Sequence, residues 1–115
     1  MTWQLDVTAL STLLDAHDIT PLQLLKQALA RLDATEPVLN AFTHVDRGGA
    51  LAAAEAATAR QATGTRLGPL DGIPVSVKDN LFVGGMPASW GSRCFGIMCR
   101  SATTSAWNGC ARPAP

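Results

Sequence analysis

The length, composition and charge of the chain exclude several broad classes of protein. Its 115 residues are 47% hydrophobic and 16% charged, which is the composition of a globular domain and not of a disordered chain. Nine basic and nine acidic residues cancel, so no net positive charge draws the chain to nucleic acid or to an anionic membrane. We therefore expect no nucleic acid and no membrane among its partners.

Signals for secretion, membrane insertion and cofactor binding are missing from the sequence. No apolar run reaches the roughly 18 residues that a membrane-spanning helix needs, and the N-terminal residues do not form a signal peptide. The cysteines, Cys94, Cys99 and Cys110, are odd in number, and their spacings to one another and to His17 and His44 match no zinc pattern. Neither a P-loop nor a G-x-G-x-x-G motif is present. We expect a cytoplasmic chain with no metal site and no cofactor.

The first predicted helix lies between Asp6 and His17. Its apolar residues are three and four positions apart, the spacing that places side chains on one face of a helix. These residues are Val7, Leu10, Leu13 and Leu14. The pattern predicts an amphipathic helix.

A second helix is predicted from Thr20 onward. Thr20 is a suitable N-cap, Pro21 suits the first helical position, and Gln23 completes a capping box. A leucine stripe follows from Leu22 to Leu32. Because a residue that precedes proline disfavours the helical conformation, we expect the helix to end at Glu36–Pro37.

A short strand and a third helix are predicted next. Residues Asn40–Val45 alternate weakly and end in a β-branched residue, which favours a strand. Asp46 is a candidate N-cap for a helix through the alanine-rich stretch from Ala50 to about Ala62. Gly64 is a plausible stop for this helix. We interpret the alanine-rich helix as scaffold.

A turn and a second strand follow. The turn is predicted at Gly68–Gly72, and it leads into Ile73–Val77, a β-branched run whose alternate residues share one face. Lys78, Asp79 and Asn80 come directly after this strand. Helices first and strand–turn units later predict an α/β fold whose sheet only begins within this chain.

Lys78 by itself is a weak signal. A lysine at the end of a strand is most often solvated, although active-site residues favour such places. The surrounding residues 68–92, GPLDGIPVSVKDNLFVGGMPASWGS, strongly resemble the lysine segment of the amidase signature family. The family pattern is G-P-L-x-G-I-P-[VA]-x-[VL]-K-D-N, followed by G-x-P-[TA]-x-x-G-S. The order of the upstream helices is also similar, so the resemblance covers about Leu5 to Phe95.

The resemblance implies an α/β fold with helices first and then the beginning of a large mixed sheet. Residues 1–95 would be the N-terminal part of an amidase domain, incomplete as a domain. Members of the family hydrolyse or transfer carboxamide nitrogen, and the sequence does not separate a free amidase from one component of an amidotransferase. The implied substrate of the full-length protein is a small-molecule carboxamide.

The resemblance also implies a role for Lys78 as the base of a Ser–cis-Ser–Lys triad. A serine hydroxyl must lose its proton as it attacks an amide carbon. A neutral lysine, favoured by burial, can accept that proton through a second serine. Asp79 and Asn80 would orient the strand end by hydrogen bonds, although an Asx-type turn explains this pair equally well. The family's two serines come from a segment that resembles G-G-S-S-G-G and is missing here, so we expect the chain alone to be inactive.

Residues 96–115 have no periodicity and a proline-rich end. They are either a native terminal segment or the product of a frameshift. With GC-rich synonymous codons, the frame that starts one base earlier can read D-H-V-P-E-R-D-D and, two positions later, V-E-R-L-R-A-A-G-A. That string resembles the family's next segment, an amphipathic helix before a strand. We favour a frameshift near Gly96 and interpret 96–115 as a non-native tail.

Two other interpretations stay open. In the first, the chain is a small non-enzymatic binding or assembly module that shares ancestry with the lysine segment. Such a module must form a complete hydrophobic core by itself. In the second, Lys78 forms a Schiff base in an aldolase-like enzyme. That fold needs a complete barrel, and the chain is too short to form one.

Overall fold

A computed structural model describes residues 2–92 and the backbone of residues 98–99. Its elements are a 3-10 turn at Thr2–Gln4, helices α1 (Val7–Asp15), α2 (Pro21–Leu39) and α3 (Arg47–Ala62), and strands β1 (Pro87–Ala88) and β2 (Met98–Cys99). The described residues divide into two units by their contacts. We call residues 2–42 and 46–75 the helical unit, and residues 43–45, 76–92 and 98–99 the loop unit.

The three predicted helices are confirmed; α2 and α3 begin at their predicted caps, and α1 begins after Asp6, whose capping role was not predicted. Asp6 caps α1 and Asp46 caps α3, each by accepting a hydrogen bond from the backbone three residues later. At α2 the Thr20 hydroxyl accepts a hydrogen bond from the Gln23 N–H at 3.2 Å, and the Gln23 side chain accepts one from the Thr20 N–H at 3.0 Å. This reciprocal pair satisfies two backbone donors that a helix start leaves free.

The predicted end of α2 is wrong, because the helix continues through Pro37 to Leu39. A proline in the last turn removes one backbone hydrogen bond, while the residues after it can still donate to the preceding turn. The N–H of Asn40 does so, donating to the Glu36 carbonyl at 2.8 Å. Asn40 has φ 47°, in the left-handed region that asparagine tolerates at a helix end.

The core of the helical unit is a leucine-rich cluster. Leu14 has no exposed surface, and it is buried with Leu10, Ile19 and Leu24. Ile73 packs against this cluster from the segment that precedes Lys78. Burial of a leucine side chain contributes about 1.5–3 kcal/mol, so this cluster supplies much of the apolar stabilisation among the described residues.

A buried glutamine connects α3 to the end of α1. The Gln61 side-chain amide donates to the Leu14 carbonyl at 2.7 Å and to the Ile19 carbonyl at 2.8 Å. Gln61 is only 3% exposed. The Leu14 carbonyl also accepts from the His17 N–H at 3.2 Å, so Gln61 adds a second hydrogen bond there and joins α3 to the segment between α1 and α2.

An ion pair holds the turn at the start of the lysine segment. The Asp71 carboxylate accepts from Arg60 Nε at 2.9 Å and from another Arg60 nitrogen at 2.6 Å, and it also accepts from the Leu67 N–H at 3.0 Å. These bonds, with that from Arg60 the largest cause, hold the pKa of Asp71 below its usual value. The Arg66 guanidinium donates to the carbonyls of Pro69 and Asp71. The turn is thus held by charged side chains.

Gly72 in this turn meets the first residue of α2. Its φ is +91°, and a Cβ added there would lie 2.6 Å from the Pro21 Cγ and 2.9 Å from the Pro21 Cβ. Both the backbone conformation and the close contact therefore require glycine at this position.

The two predicted strands are not found, and the mixed sheet implied by the resemblance is not present in the described residues. Neither Asn40–Val45 nor Ile73–Val77 has regular secondary structure. The described strands are β1 and β2, which pair antiparallel over two residues each. A β-branched run becomes a strand only when a neighbouring strand accepts its backbone hydrogen bonds, and the described residues offer none. The observed architecture is mostly helical.

Two further predictions concern residues 96–115 and membrane insertion. The frameshift interpretation concerns residues 96–115, which lie outside the described residues except for the backbone of 98–99, so it stays a prediction. In the described part of the chain, no helix has both the length and the apolar character required to cross a membrane.

Candidate functional site

Lys78, the predicted base, lies in the loop unit at the start of a tight turn. The Lys78 carbonyl accepts a hydrogen bond from the Leu81 N–H at 3.0 Å, which closes residues 78–81 into this turn. The side chain is exposed, and among the described residues it forms no ion pair. The burial expected for a neutral lysine base is thus not supplied by the part of the chain that the structure describes.

Lys78 borders a small pocket within the loop unit. The polar side chains in its wall are Thr43, His44, Lys78 and Asp79, and the other lining residues are aliphatic side chains and Pro87. Its volume is about 50 Å³, enough for a few water molecules. Pockets that bind small molecules measure about 300–1,000 Å³, so this pocket is too small to hold such a ligand by itself. No motif or spacing connects Thr43 and His44 with Lys78, because only the fold brings them together.

Asp79 is hydrogen-bonded twice to Ser89. One carboxylate oxygen accepts from the Ser89 N–H at 2.9 Å, and the other accepts from the Ser89 hydroxyl at 2.5 Å. These bonds, with that from the hydroxyl the largest cause, hold the pKa of Asp79 below its usual value, and the N–H groups of Gly91 and Trp90 contribute as well. Asp79 is therefore a carboxylate at neutral pH, held against residues 89–91.

The backbone at residues 89–91 curves around this carboxylate. Trp90 has φ 55° and Gly91 has φ 69°, both in the left-handed region. For a bulky side chain this conformation is strained by about 1–3 kcal/mol and persists only where the surroundings enforce it. Successive N–H groups in such a curve form a concavity that binds anions. Here the anion is the side chain of Asp79.

The remaining polar residues of the segment differ in their contacts. Asn80 is exposed, and no hydrogen bond joins its side chain to the described residues, so its predicted orienting role stays a prediction. The Ser89 hydroxyl donates to Asp79 and accepts from the Gly91 N–H at 3.3 Å. The Ser89 hydroxyl therefore makes structural hydrogen bonds both as a donor and as an acceptor. Within the described ranges, no cluster of three or more His, Cys, Asp or Glu side chains is placed to hold a metal ion.

Comparison with known proteins identifies the family. The family model described as Amidase matches residues 23–98, which include the lysine segment and most of both units. The chain therefore belongs to the amidase family, and the resemblance of residues 68–92 is confirmed.

Individual relatives show which kind of protein the chain is similar to. A glutamyl-tRNA(Gln) amidotransferase subunit from Chloroflexus aurantiacus is 49% identical over 89 residues, 77% of this chain and 18% of the relative. The protein of the same name from Rhodopirellula baltica is 42% identical over 80 residues, 70% of this chain and 16% of the relative. That of Salinispora arenicola is 52% identical over 65 residues, 56% of this chain and 13% of the relative. The chain thus spans less than a fifth of the length of these relatives.

The names of the relatives bear on two sequence-based expectations. They describe components of enzymes that act on a tRNA, so the expectation that nucleic acid is not a partner receives no support from them. They also name parts of enzymes, which does not favour the alternative of a non-enzymatic binding module.

Proposed function

We propose that this chain carries the lysine base of an amidase-family active site that cleaves a carboxamide C–N bond. The observation that carries the proposal is the position of Lys78, in a tight turn at the wall of a pocket and inside the segment that matches the family. The pocket wall combines the polar side chains of Thr43, His44, Lys78 and Asp79 with aliphatic ones, a surface able to accept a polar group on an apolar body.

The chemistry assigned to Lys78 is proton transfer. A serine oxygen attacks the carboxamide carbon, and the serine proton passes through a second serine to the Lys78 amine. Lys78 then returns a proton to the departing nitrogen, and an acyl-serine remains until water or another nucleophile attacks it. Both serines are implied by the resemblance and are missing from this sequence, so the chain alone should not turn over carboxamides.

The test uses a longer version of the protein that includes the Gly-Ser-rich segment. We expect Lys78→Ala and Lys78→Arg each to lower kcat for carboxamide hydrolysis by about 100- to 10,000-fold, the usual contribution of a general base. Arginine keeps the positive charge but does not become neutral at working pH, so it should not rescue.

The control is the same pair of substitutions at Lys26, the other lysine of the chain, which is exposed on α2. These should leave kcat within about twofold of the wild type, because surface substitutions are usually near neutral. If Lys78→Arg retained substantial kcat, Lys78 would act through its charge and not as a proton acceptor. Turnover by the 115-residue chain itself would contradict the assignment of the nucleophile to a missing segment.

A second candidate function is transfer of the released nitrogen to an acyl group on tRNA. The names and identities of the relatives favour it. In that case, ammonia release from a carboxamide donor should rise when glutamyl-tRNA(Gln) is added to the longer protein and its partner subunits. A rate unchanged by the tRNA would favour a free amidase.

A further inference from the structure

We propose that Ser89 is a positioning residue for Lys78, which it affects by holding the neighbouring Asp79 carboxylate away from the lysine amine. The proposal rests on the proposed function of Lys78 as a base. Ser89 lies within the lysine segment, but its hydroxyl is not the nucleophile of the proposed reaction. The proposal gives this hydroxyl a positioning role instead.

The geometry shows how firmly the carboxylate is held. Ser89 supplies two donors, its N–H at 2.9 Å and its hydroxyl at 2.5 Å, one to each oxygen of Asp79. Hydrogen bonds to an ionised group are about twice as strong as neutral ones, and a two-point contact also fixes orientation. The pair joins residues ten positions apart, and within the loop between them the Met86 N–H donates to the Val83 carbonyl at 3.0 Å. We call the Asp79–Ser89 pair the clamp.

The clamp has a consequence for the charge beside the lysine. A carboxylate within about 4–6 Å favours the charged form of a lysine, and a protonated amine cannot accept a proton. Asp79 is adjacent to Lys78 in the chain and lines the same pocket, yet both its carboxylate oxygens accept hydrogen bonds from Ser89. The other titratable side chain in the pocket wall is His44. Among the described residues no ion pair joins Asp79 to Lys78, and the clamp accounts for this because both carboxylate oxygens accept from Ser89 instead.

The strained backbone at Trp90 supports the same conclusion. A tryptophan at φ 55° is held there against its own preference. Its ring lies 6.0 Å from that of Phe82, which is an ordinary aromatic contact. The N–H groups of Trp90 and Gly91 also contribute to the lowered pKa of Asp79, so this conformation and the carboxylate favour one another.

The clamp is tested first in the 115-residue chain, without any activity measurement. Amide hydrogen exchange measured by NMR should show the Gly91 N–H, which donates to the Ser89 hydroxyl, exchanging about tenfold faster in Ser89→Ala. Ser89→Thr keeps the hydroxyl and should restore protection. Ser76→Ala, the same substitution at an exposed serine of the loop unit, is the control and should change nothing. Unchanged exchange in Ser89→Ala would overturn the proposal.

The positioning role is then tested by pH–rate profiles of the longer protein. In Ser89→Ala the backbone N–H at position 89 still binds one oxygen of Asp79, but the other oxygen loses its partner and can pair with Lys78, so the acid limb of kcat/KM should move up by about one pH unit. The double variant Asp79→Asn with Ser89→Ala has no carboxylate, and its acid limb should return to the wild-type position. A lower rate in every variant with an unmoved acid limb would show a merely structural clamp and would overturn the proposal.

Failure of the proposed function gives a different pattern. If Lys78→Ala retained activity, Lys78 would not be the base and no positioning role could remain, whatever the pH profiles showed. The exchange measurements on Ser89→Ala would still report whether the clamp exists. The two failures are therefore distinguishable.

Discussion

The helical unit and the loop unit are stabilised by different kinds of interaction. The helical unit buries leucines, with Leu14 fully enclosed, and it satisfies its buried polar groups through Gln61. Among the described residues of the loop unit only Ala88 is buried, and the clamp between Asp79 and Ser89 holds the turns together. Apolar burial is roughly proportional to area, whereas hydrogen bonds depend on a few atoms. The residues that carry the candidate site are thus in the unit with the least apolar support.

This contrast separates two kinds of mutational effect. Substitutions in the helical unit should change the free energy of unfolding. Substitutions in the loop unit should change local exchange and activity with little effect on global unfolding, because regions with few buried contacts open locally. The predictions about Lys78 and Ser89 belong to the second kind, and two predictions about stability test the first.

The largest stability effect is expected for Leu14→Ala. Removing a fully buried leucine side chain leaves a cavity and typically costs about 2–5 kcal/mol, so we expect a loss of about 3 kcal/mol. Urea unfolding followed by far-UV circular dichroism measures it. The matched control is Leu81→Ala in the loop unit, which should cost under about 1 kcal/mol because Leu81 is 38% exposed. Equal losses for both variants would show that the contrast between the units is wrong.

A smaller and pH-dependent effect is expected for Asp71→Asn. Hydrogen bonds to a charged group contribute about 1.5–3 kcal/mol, and exposure of the Arg60 partner reduces this to about 1–2 kcal/mol at pH 7. Because the folded state lowers the pKa of Asp71, its contribution is fully present above the unfolded pKa of about 3.9. It is lost as the pH falls through the folded value. The gap between wild type and variant should therefore close on acidification.

The control for this prediction is Asp33→Asn. Asp33 pairs with Arg47, but both side chains are about half exposed, so the loss should stay below about 0.5 kcal/mol. Urea midpoints at pH 7 and near pH 3 give both values. A gap for Asp71→Asn that did not shrink at all between pH 7 and pH 3 would mean that the carboxylate charge is not what stabilises the turn.

The helices could be predicted from the sequence because their signals are local. Asp6, Thr20 and Asp46 cap helices through atoms within three residues, and the apolar spacing does the rest. Pro37 misled because a proline near the end of a helix costs only one hydrogen bond. The prediction of a strand at Ile73–Val77 was wrong because strands, unlike helices, depend on partners distant in sequence.

The residues of the candidate site also differ in whether the local sequence could reveal their contacts. The motif points to Lys78 and Asp79 through consecutive letters, and their identification needed no fold. Ser89 was visible in the motif, but its bond to Asp79 depends on turns that bring residues ten positions apart together. His44 lies 34 positions before Lys78, and no spacing rule connects the two. Gln61 likewise reaches carbonyls 42 and 47 residues away, which no pattern in α3 announces.

The contact between Gly72 and Pro21 separates two kinds of information within one motif. Any side chain at position 72 would collide with the start of α2, whether or not the protein performs any reaction. A library randomised at this position and selected only for folded protein should therefore return glycine. The same library randomised at position 78 should return many residues, because the Lys78 side chain is exposed in the described structure. Lysine should become enriched there only when catalysis is selected, so glycine at position 72 would report the assembly of the chain and lysine at position 78 its proposed chemistry.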